Sequence, residues 1–315
     1  MKKRIGIIGL GDIAQKAYLP VLGKHEGIDI AGIMSRTPST VEKIGQQYRI
    51  SGRCTDVNEL LQLDLDAVFI HTPTDTHENV VTTCLERGVH VYVDKPLSYD
   101  INASERMAEA ALKHDRLLAV GFNRRFAPMY QEARDWMEEV GGFDLCIVQK
   151  HRTRQQSMSA DKTLYDDLIH MIDLLLWCGA KPYELASYMQ EQDQEGRLLH
   201  AAGSVAFSRS MALFSMNRRA GADVERLELH GGGRTAEITN LESAVWNDRN
   251  SGQQIRRFSS WDTIGYRRGF EGVVNHFLQS LDNPKHCTIA ADRVMDTHQL
   301  IEKLIESYKN SQGTI

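Results

Sequence analysis

The stretch RIGIIGLGDIAQKA, residues 4–17, runs an apolar segment into closely spaced glycines and then into a helical pattern. Gly9, Gly11 and Ala14 fall in a GxGxxA arrangement. Each has its own steric reason: Gly9 permits a tight turn, Gly11 lets the backbone approach a pyrophosphate, and Ala14 keeps helix and strand close. The helix that opens at Asp12 and Ile13 offers unpaired N–H groups to an anion. The spacing predicts a strand–loop–helix unit that binds a dinucleotide.

Outward from this loop the rhythm repeats. IDIAGIM is followed by PSTVEKIGQQY, DAVFIHTP by HENVVTTCLERG, VHVYVDK by NASERMAEAALKH, and LLAVGF closes the series near residue 121. Strands alternating with helices imply parallel βαβ units, so residues 1–121 read as a doubly wound α/β sheet. Beyond residue 122 the pattern changes. Helices near 127–139 and 164–177 precede the strand-like runs SVAFSR, MALFSMN, VERLELHG and RTAEITN, and helices around 269–281 and 290–309 close the chain. Residues 122–315 therefore read as a second α/β domain with a mostly antiparallel sheet.

Bulk properties narrow the function. A net charge of -5 and a pI near 6.2 argue against a nucleic-acid footprint. No run approaches the roughly 18 apolar residues of a membrane helix, and the short apolar start meets Asp12 too soon for a signal peptide. A cytoplasmic protein without membrane or nucleic-acid partners is expected. The five cysteines stand singly, so neither a disulfide framework nor a metal site is expected.

An acidic residue about 20 positions beyond the glycine loop normally holds the ribose 2′-hydroxyl of NAD. Here IDIAGIM is followed by Ser35, Arg36 and Thr37. An acid would repel a 2′-phosphate, whereas an arginine flanked by hydroxyls would bind one, so NADP is expected ahead of NAD. Read without that ligand, Arg36 is an exposed loop cation.

Ligands of a doubly wound sheet bind beyond the carboxyl ends of its strands. VHVYVDKP ends in Asp94 and Lys95, and Pro96 stops the ladder there. Lys95 is thereby presented beside the cofactor. In LYDDLIHMIDLLLWCG, Asp166, His170 and Asp173 lie at i, i+4 and i+7, one polar stripe on an otherwise apolar helix. The stripe is either a hydrogen-bonded structural array or an acid/base site.

Taken together these motifs resemble the glucose–fructose oxidoreductase, inositol dehydrogenase and rhizopine-catabolism (Gfo/Idh/MocA) family. The resemblance runs nearly end to end: GLGDIAQKAYLPVL is similar to its opening loop, TPTDTH to its Thr-Pro-x-x-x-His loop, VDKPL to its Glu-Lys-Pro signature, and DDLIHMID to its Asp-x-Gly-x-His-x-x-Asp helix. VGFNRRFAPMY and LYDDLIHMIDLLLW resemble a bacterial branch of virulence-factor-like oxidoreductases. The resemblance implies an N-terminal Rossmann NAD(P)-binding domain and a C-terminal domain whose open sheet serves substrate binding and homo-oligomers, dimers or tetramers. It implies Lys95, Asp166 and His170 as catalytic residues. Thr72, Pro73, His77 and Asp94 fall on the nucleotide side, and Asn123 and His151 are candidates for the substrate side. Asp94 stands in place of the family's Glu, and Leu168 in place of its Gly.

The implied activity is hydride transfer between nicotinamide and a secondary alcohol or carbonyl of a sugar, cyclitol or related polyol. The alternatives are a non-catalytic nucleotide-binding sensor and a glycosidase that retains its nucleotide as an internal redox relay. Arginine pairs in NRRF, HRTR and YRRG are either solvated surface charge or, where they converge, a device for a carboxylated or phosphorylated substrate.

Overall fold

In the computed structural model, which describes residues 2–312, the strands β1 (Lys3–Ile8), β2 (Ile28–Met34), β3 (Gly52–Cys54), β4 (Ala67–Ile70), β5 (His90–Val93) and β6 (Leu118–Val120) form one parallel sheet. Their order is β3-β2-β1-β4-β5-β6. Ile5, Ile7, Val68, Phe69, Val91 and Tyr92 are fully buried, as strands covered on both faces require. The order reverses between β1 and β4, which puts a ligand crevice beyond their carboxyl ends. The short strand β3 was not expected from sequence: only one of its three residues is buried.

The chain divides into two compact units, residues 1–122 with 270–295, and residues 123–269 with 296–315. The sequence reading makes one cut after residue 121; in the structure the chain returns to the first unit. The return has a packing cause. In the helix Phe270–Ser280, the Phe270 ring lies 5.3 Å from Tyr18, and Phe277 lies 5.2 Å from Phe69 and 5.5 Å from Tyr92.

The second unit holds an eight-stranded sheet of β7 (Leu145–His151), β8 (Tyr183–Gln192), β9 (Leu198–Phe207), β10 (Met211–Asn217), β11 (Val224–Gly231), β12 (Arg234–Thr239), β13 (Ser243–Asp248) and β14 (Gly252–Arg257). The order is β14-β13-β12-β11-β7-β10-β9-β8, and only β7 and β10 run parallel. Cys146, Val148, Ala212, Phe214, Leu227 and Leu229 are buried on one face, where the helices Pro128–Glu138 and Ile169–Cys178 pack. Met211, Leu213 and Ile255 are exposed on the other.

Candidate functional site

In the first unit, β1 ends at Ile8 and the chain turns at Gly9 with φ +90°. A Cβ at Gly9 would come within 2.7 Å of the His71 carbonyl carbon and the Thr72 nitrogen, so the loops after β1 and β4 touch only because no side chain intervenes. A Cβ at Gly11 would meet nothing within 4 Å, so backbone here faces open space. These loops bound a cavity of about 710 Å³ lined by Gly9, Gly11, Asp12, Ile13, Ser35, Arg36, Thr37, Thr72 and Pro73 among others. The open approach at Gly11 beside a helix start fits a dinucleotide pyrophosphate.

Nine of the expected nucleotide-side residues thus line one cavity, and three do not. Asp94 and Lys95 directly follow β5 and are half-buried. The Asp94 carboxylate folds back to accept the Lys95 N–H at 3.0 Å. His77 corrects the expectation most clearly: it is 1 % exposed and all its ring contacts are internal. Its Nδ1 lies 3.0 Å from the Pro96 carbonyl and 3.2 Å from that of Leu97, while Nε2 lies 3.0 Å from the Thr72 carbonyl. His77 clamps the Thr-Pro loop to the segment after Lys95 and does not face the cavity. Burial pushes its pKa down, against the backbone bonds that favour the cation.

At the cavity's other edge the Arg36 guanidinium is exposed and makes no hydrogen bond among the described residues. Behind the loops stands an aromatic group. The hydroxyls of Tyr18 and Tyr92 share a hydrogen bond of 2.7 Å, and the His71 ring stacks on Tyr18 with centroids 4.1 Å apart. Both His71 nitrogens are buried without a partner. Burial, then neighbouring His77, pushes the His71 pKa down to about 3.

The second unit carries Asp166 and His170. Leu164–Leu168 form a wide π-turn that runs into the helix Ile169–Cys178. A π-turn takes more residues per revolution than the α spacing assumed for a continuous stripe. The stripe indeed divides: Asp173, 1 % exposed, is bonded by Arg125 Nη2 at 2.6 Å, by Arg125 Nε at 2.8 Å and by Thr297 at 3.1 Å. Burial pushes the Asp173 pKa up even so. Asp173 is therefore structural, while Asp166 accepts from Gln156 at 3.1 Å. Arg124 Nη1 lies 3.1 Å from both ring nitrogens of His170, so it sits across the imidazole instead of on one lone pair.

The residue between them does what sequence spacing did not show. Asp167 is paired with Lys150 and with Arg218, which pins the π-turn to β7 and to the end of β10. Burial would raise the Asp167 pKa, but Lys150, Arg152 and Arg218 together outweigh it and hold the carboxyl well below the usual range. Burial and Arg124 bring Lys150 down to about 8. Beside it Glu225 accepts from Arg124 Nε at 2.5 Å and Nη2 at 3.0 Å. Burial would raise Glu225, but Arg124 and Lys150 bring it down to about 2. A sequence signal existed: Lys150 is in phase with buried Cys146 and Val148, Arg218 with Phe214 and Met216, and Glu225 with Leu227 and Leu229. Charges in the apolar phase of a strand mark buried ion pairs.

The substrate-side candidates fare differently. Asn123 is buried, donates to the Arg268 carbonyl at 2.7 Å and accepts from Arg124 at 3.3 Å. His151 follows Lys150, and alternation turns it to the opposite face of the sheet, beside Arg226. The expectation for His151 is off by one residue, because Lys150 is the one that faces the helix bearing His170. Among the described residues no group of three or more His, Cys, Asp or Glu could hold a metal ion, and no helix is long and apolar enough to cross a membrane.

Comparison with known proteins agrees with this architecture. Residues 3–122 match the family model described as the oxidoreductase family with an NAD-binding Rossmann fold, GFO_IDH_MocA, and residues 128–249 match the YceM-like C-terminal domain. A Salmonella typhimurium protein named as the oxidoreductase YceM, an assignment its name gives as provisional, is 34% identical over 96% of this chain and 96% of its own. An inositol 2-dehydrogenase/D-chiro-inositol 3-dehydrogenase of Shouchella clausii is 29% identical over 64% of this chain and 60% of its own. The crystal structure of a dehydrogenase (MviM) from Clostridium difficile superposes with a TM-score of 0.91 at 31% identity, covering 98% of this chain and 100% of that one. With the nucleotide loop, the doubly wound sheet and similarity along almost the whole length, the chain belongs to the Gfo/Idh/MocA oxidoreductase family, with a YceM-like C-terminal domain.

Proposed function

We propose that this oxidoreductase is an NADP-preferring dehydrogenase acting on a secondary alcohol or carbonyl of a sugar, cyclitol or related polyol. The observation that carries the cofactor half is the cavity that holds both the Gly9–Gly11 loop and the unbonded Arg36 guanidinium. The substrate half rests on similarity to a relative named as an inositol dehydrogenase.

Gly9, Gly11, Asp12 and Ile13 would hold the pyrophosphate through backbone, and Ser35, Arg36 and Thr37 a 2′-phosphate. Bound nicotinamide supplies the hydride acceptor or donor. In the oxidative direction His170 takes the hydroxyl proton, Lys95 Nζ orients that hydroxyl and stabilises negative charge developing on its oxygen, and Asp166 holds substrate or histidine. The exposed sheet face around Met211 and Leu213 would serve a homo-oligomer.

Two measurements test the reading. Absorbance of nicotinamide during incubation with polyols and sugars should change with wild type, and Lys95→Ala should lower turnover by about 100-fold or more while nucleotide affinity changes little. A nucleotide sensor, or a glycosidase with retained nucleotide, gives no net absorbance change. NADP(H) should bind about ten- to a hundredfold tighter than NAD(H), with Arg36→Ala removing that margin. Equal wild-type affinities would remove the NADP preference and leave the dehydrogenase reading intact.

A further inference from the structure

The inner face of the second sheet collects more positive than negative charge at one end. Lys150 lies on β7 and Arg152 just beyond it, two residues on and so on the same face; Arg218 follows β10; Arg124 comes from the turn Asn123–Phe126. The buried carboxylates among them are Asp167, shared by Lys150 and Arg218, and Glu225, shared by Arg124 and by Arg152 at 3.6 Å. Two carboxylates thus serve four cations. Beyond these pairs, Asp223 faces Arg152 and Arg218 but is exposed and bonded by Thr153, and half-buried Asp166 is bonded by Gln156. An exposed, screened charge such as Asp223 offsets a buried excess poorly.

Two details show that the donors are not used up. Arg218 is 5 % exposed, yet its Nε is buried with no partner. Arg152 keeps a quarter of its side chain exposed and spends Nη1 on the carbonyls of His151, at 2.9 Å, and Val224, at 3.5 Å. Burying charge without a counter-ion is costly, and arginine forks match carboxylate and phosphate geometry. The cluster also reaches His170, which Arg124 contacts at 3.1 Å.

We propose that Arg152 and Arg218, on a cluster completed by Arg124 and Lys150, bind an anionic group, a carboxylate or a phosphate, carried by the substrate. The word substrate rests on the dehydrogenase reading; the anion site does not. Binding is therefore measured without turnover. At constant ionic strength held with chloride, wild type is titrated calorimetrically with inorganic phosphate, and with D-gluconate against D-glucitol as the carboxylate arm. Saturable binding of phosphate or D-gluconate is expected, and which of them binds tells the two anions apart. Loss of one charge-assisted contact in Arg152→Gln or Arg218→Gln should weaken it by about tenfold or more. Arg152→Lys, which keeps the charge, should recover part of the loss, and thermal unfolding of each variant confirms that it is folded. Should Arg218→Gln not fold, the two Arg152 variants decide. The proposal fails if neither anion binds more tightly than D-glucitol, or if binding is the same in wild type and Arg152→Gln. A wild type that binds anion but never changes nicotinamide absorbance breaks the dehydrogenase reading and leaves the anion site standing.

Discussion

Behind its cofactor cavity the first unit is built from uncharged rings, whereas the second unit encloses ion pairs around the helix that carries His170. Tyr18, Phe69, His71 and Tyr92 stack and tilt against one another with centroids between 4.1 and 6.4 Å, and their polar atoms are few. Arg125–Asp173, Arg124–Glu225 and Lys150–Asp167–Arg218 fill the corresponding place in the second unit. Apolar packing tolerates the loss of one polar atom because the remaining contacts do not depend on it. A buried ion pair does not, because removing one partner strands the other. The two interiors should therefore break in different ways.

The largest effect is expected at Asp173. Asp173→Ala leaves Arg125 buried with only part of its bonding and should destabilise the protein by about 3–5 kcal/mol. Burial already pushes the Asp173 pKa up, so the carboxylate is held at a desolvation cost that the pair does not fully offset. It follows that Arg125→Met combined with Asp173→Leu should cost much less than Asp173→Ala alone. Denaturant unfolding of the three proteins checks this, and a double variant as unstable as the single one would remove the ion-pair argument.

Acid sharpens the comparison next. His71 is neutral in both states at pH 7. Its folded pKa is depressed, so its contribution is present above the unfolded value near 6.5 and is lost as pH falls toward about 3. In that window stability should drop by about 1.4 kcal/mol per pH unit from this group, near 2 kcal/mol at pH 5. The second unit's Glu225 and Asp167 are depressed carboxylates, and their contribution starts to fall only as pH drops through the unfolded carboxylate range near 4. His71→Phe should reduce the slope of the unfolding free energy between pH 6.5 and pH 5 by this group's share, leaving the share of buried His77 and the steeper acid limb in place; an unchanged slope would show that His71 is protonated as easily folded as unfolded.

The same contrast governs what could be read from the sequence. The strands β1, β4 and β5 were legible as unbroken apolar runs because both their faces are covered. The strands β3, β8 and β14 lie at sheet edges: β3 is three residues long, the alternation of β8 breaks at a bulge between Leu185 and Ser187, and β14 buries none of its residues. Central β7 was hidden for the opposite reason: Lys150 occupies a buried position and disguises its alternation. At the site, the glycine loop, Arg36 and the Thr-Pro loop were legible because their chemistry is local. The apolar phase of their strands marks Arg218 and Glu225 as buried, but their pairing with Asp167 and Arg124, 51 and 101 residues away, is not local, and nothing in its helical spacing singles out Asp167. The return of Phe270–Ser280 to the first unit likewise depends on contacts with Tyr18, Phe69 and Tyr92 that no local pattern announces.

The smallest effect is expected from the one hydroxyl pair in the ring cluster. Tyr92→Phe removes a hydrogen bond of 2.7 Å to Tyr18 but keeps the ring, which lies 5.0 Å from Phe69 and 5.5 Å from Phe277. Room for any larger replacement is lacking, because a Cβ added at Gly121 would already stand 2.8 Å from the Tyr92 oxygen and 3.2 Å from that of Tyr18. With the ring in place, the change should cost only the net worth of a neutral hydrogen bond, about 0.5–1.5 kcal/mol. Burial raises the Tyr92 pKa well above its ordinary value, so the phenol stays protonated and the cost should not vary between pH 6 and pH 9. Unfolding of Tyr92→Phe beside Asp173→Ala is the direct comparison. A loss at Tyr92 as large as that at Asp173 would mean that the first unit, too, hangs on a polar contact, and the distinction between the two interiors would fall.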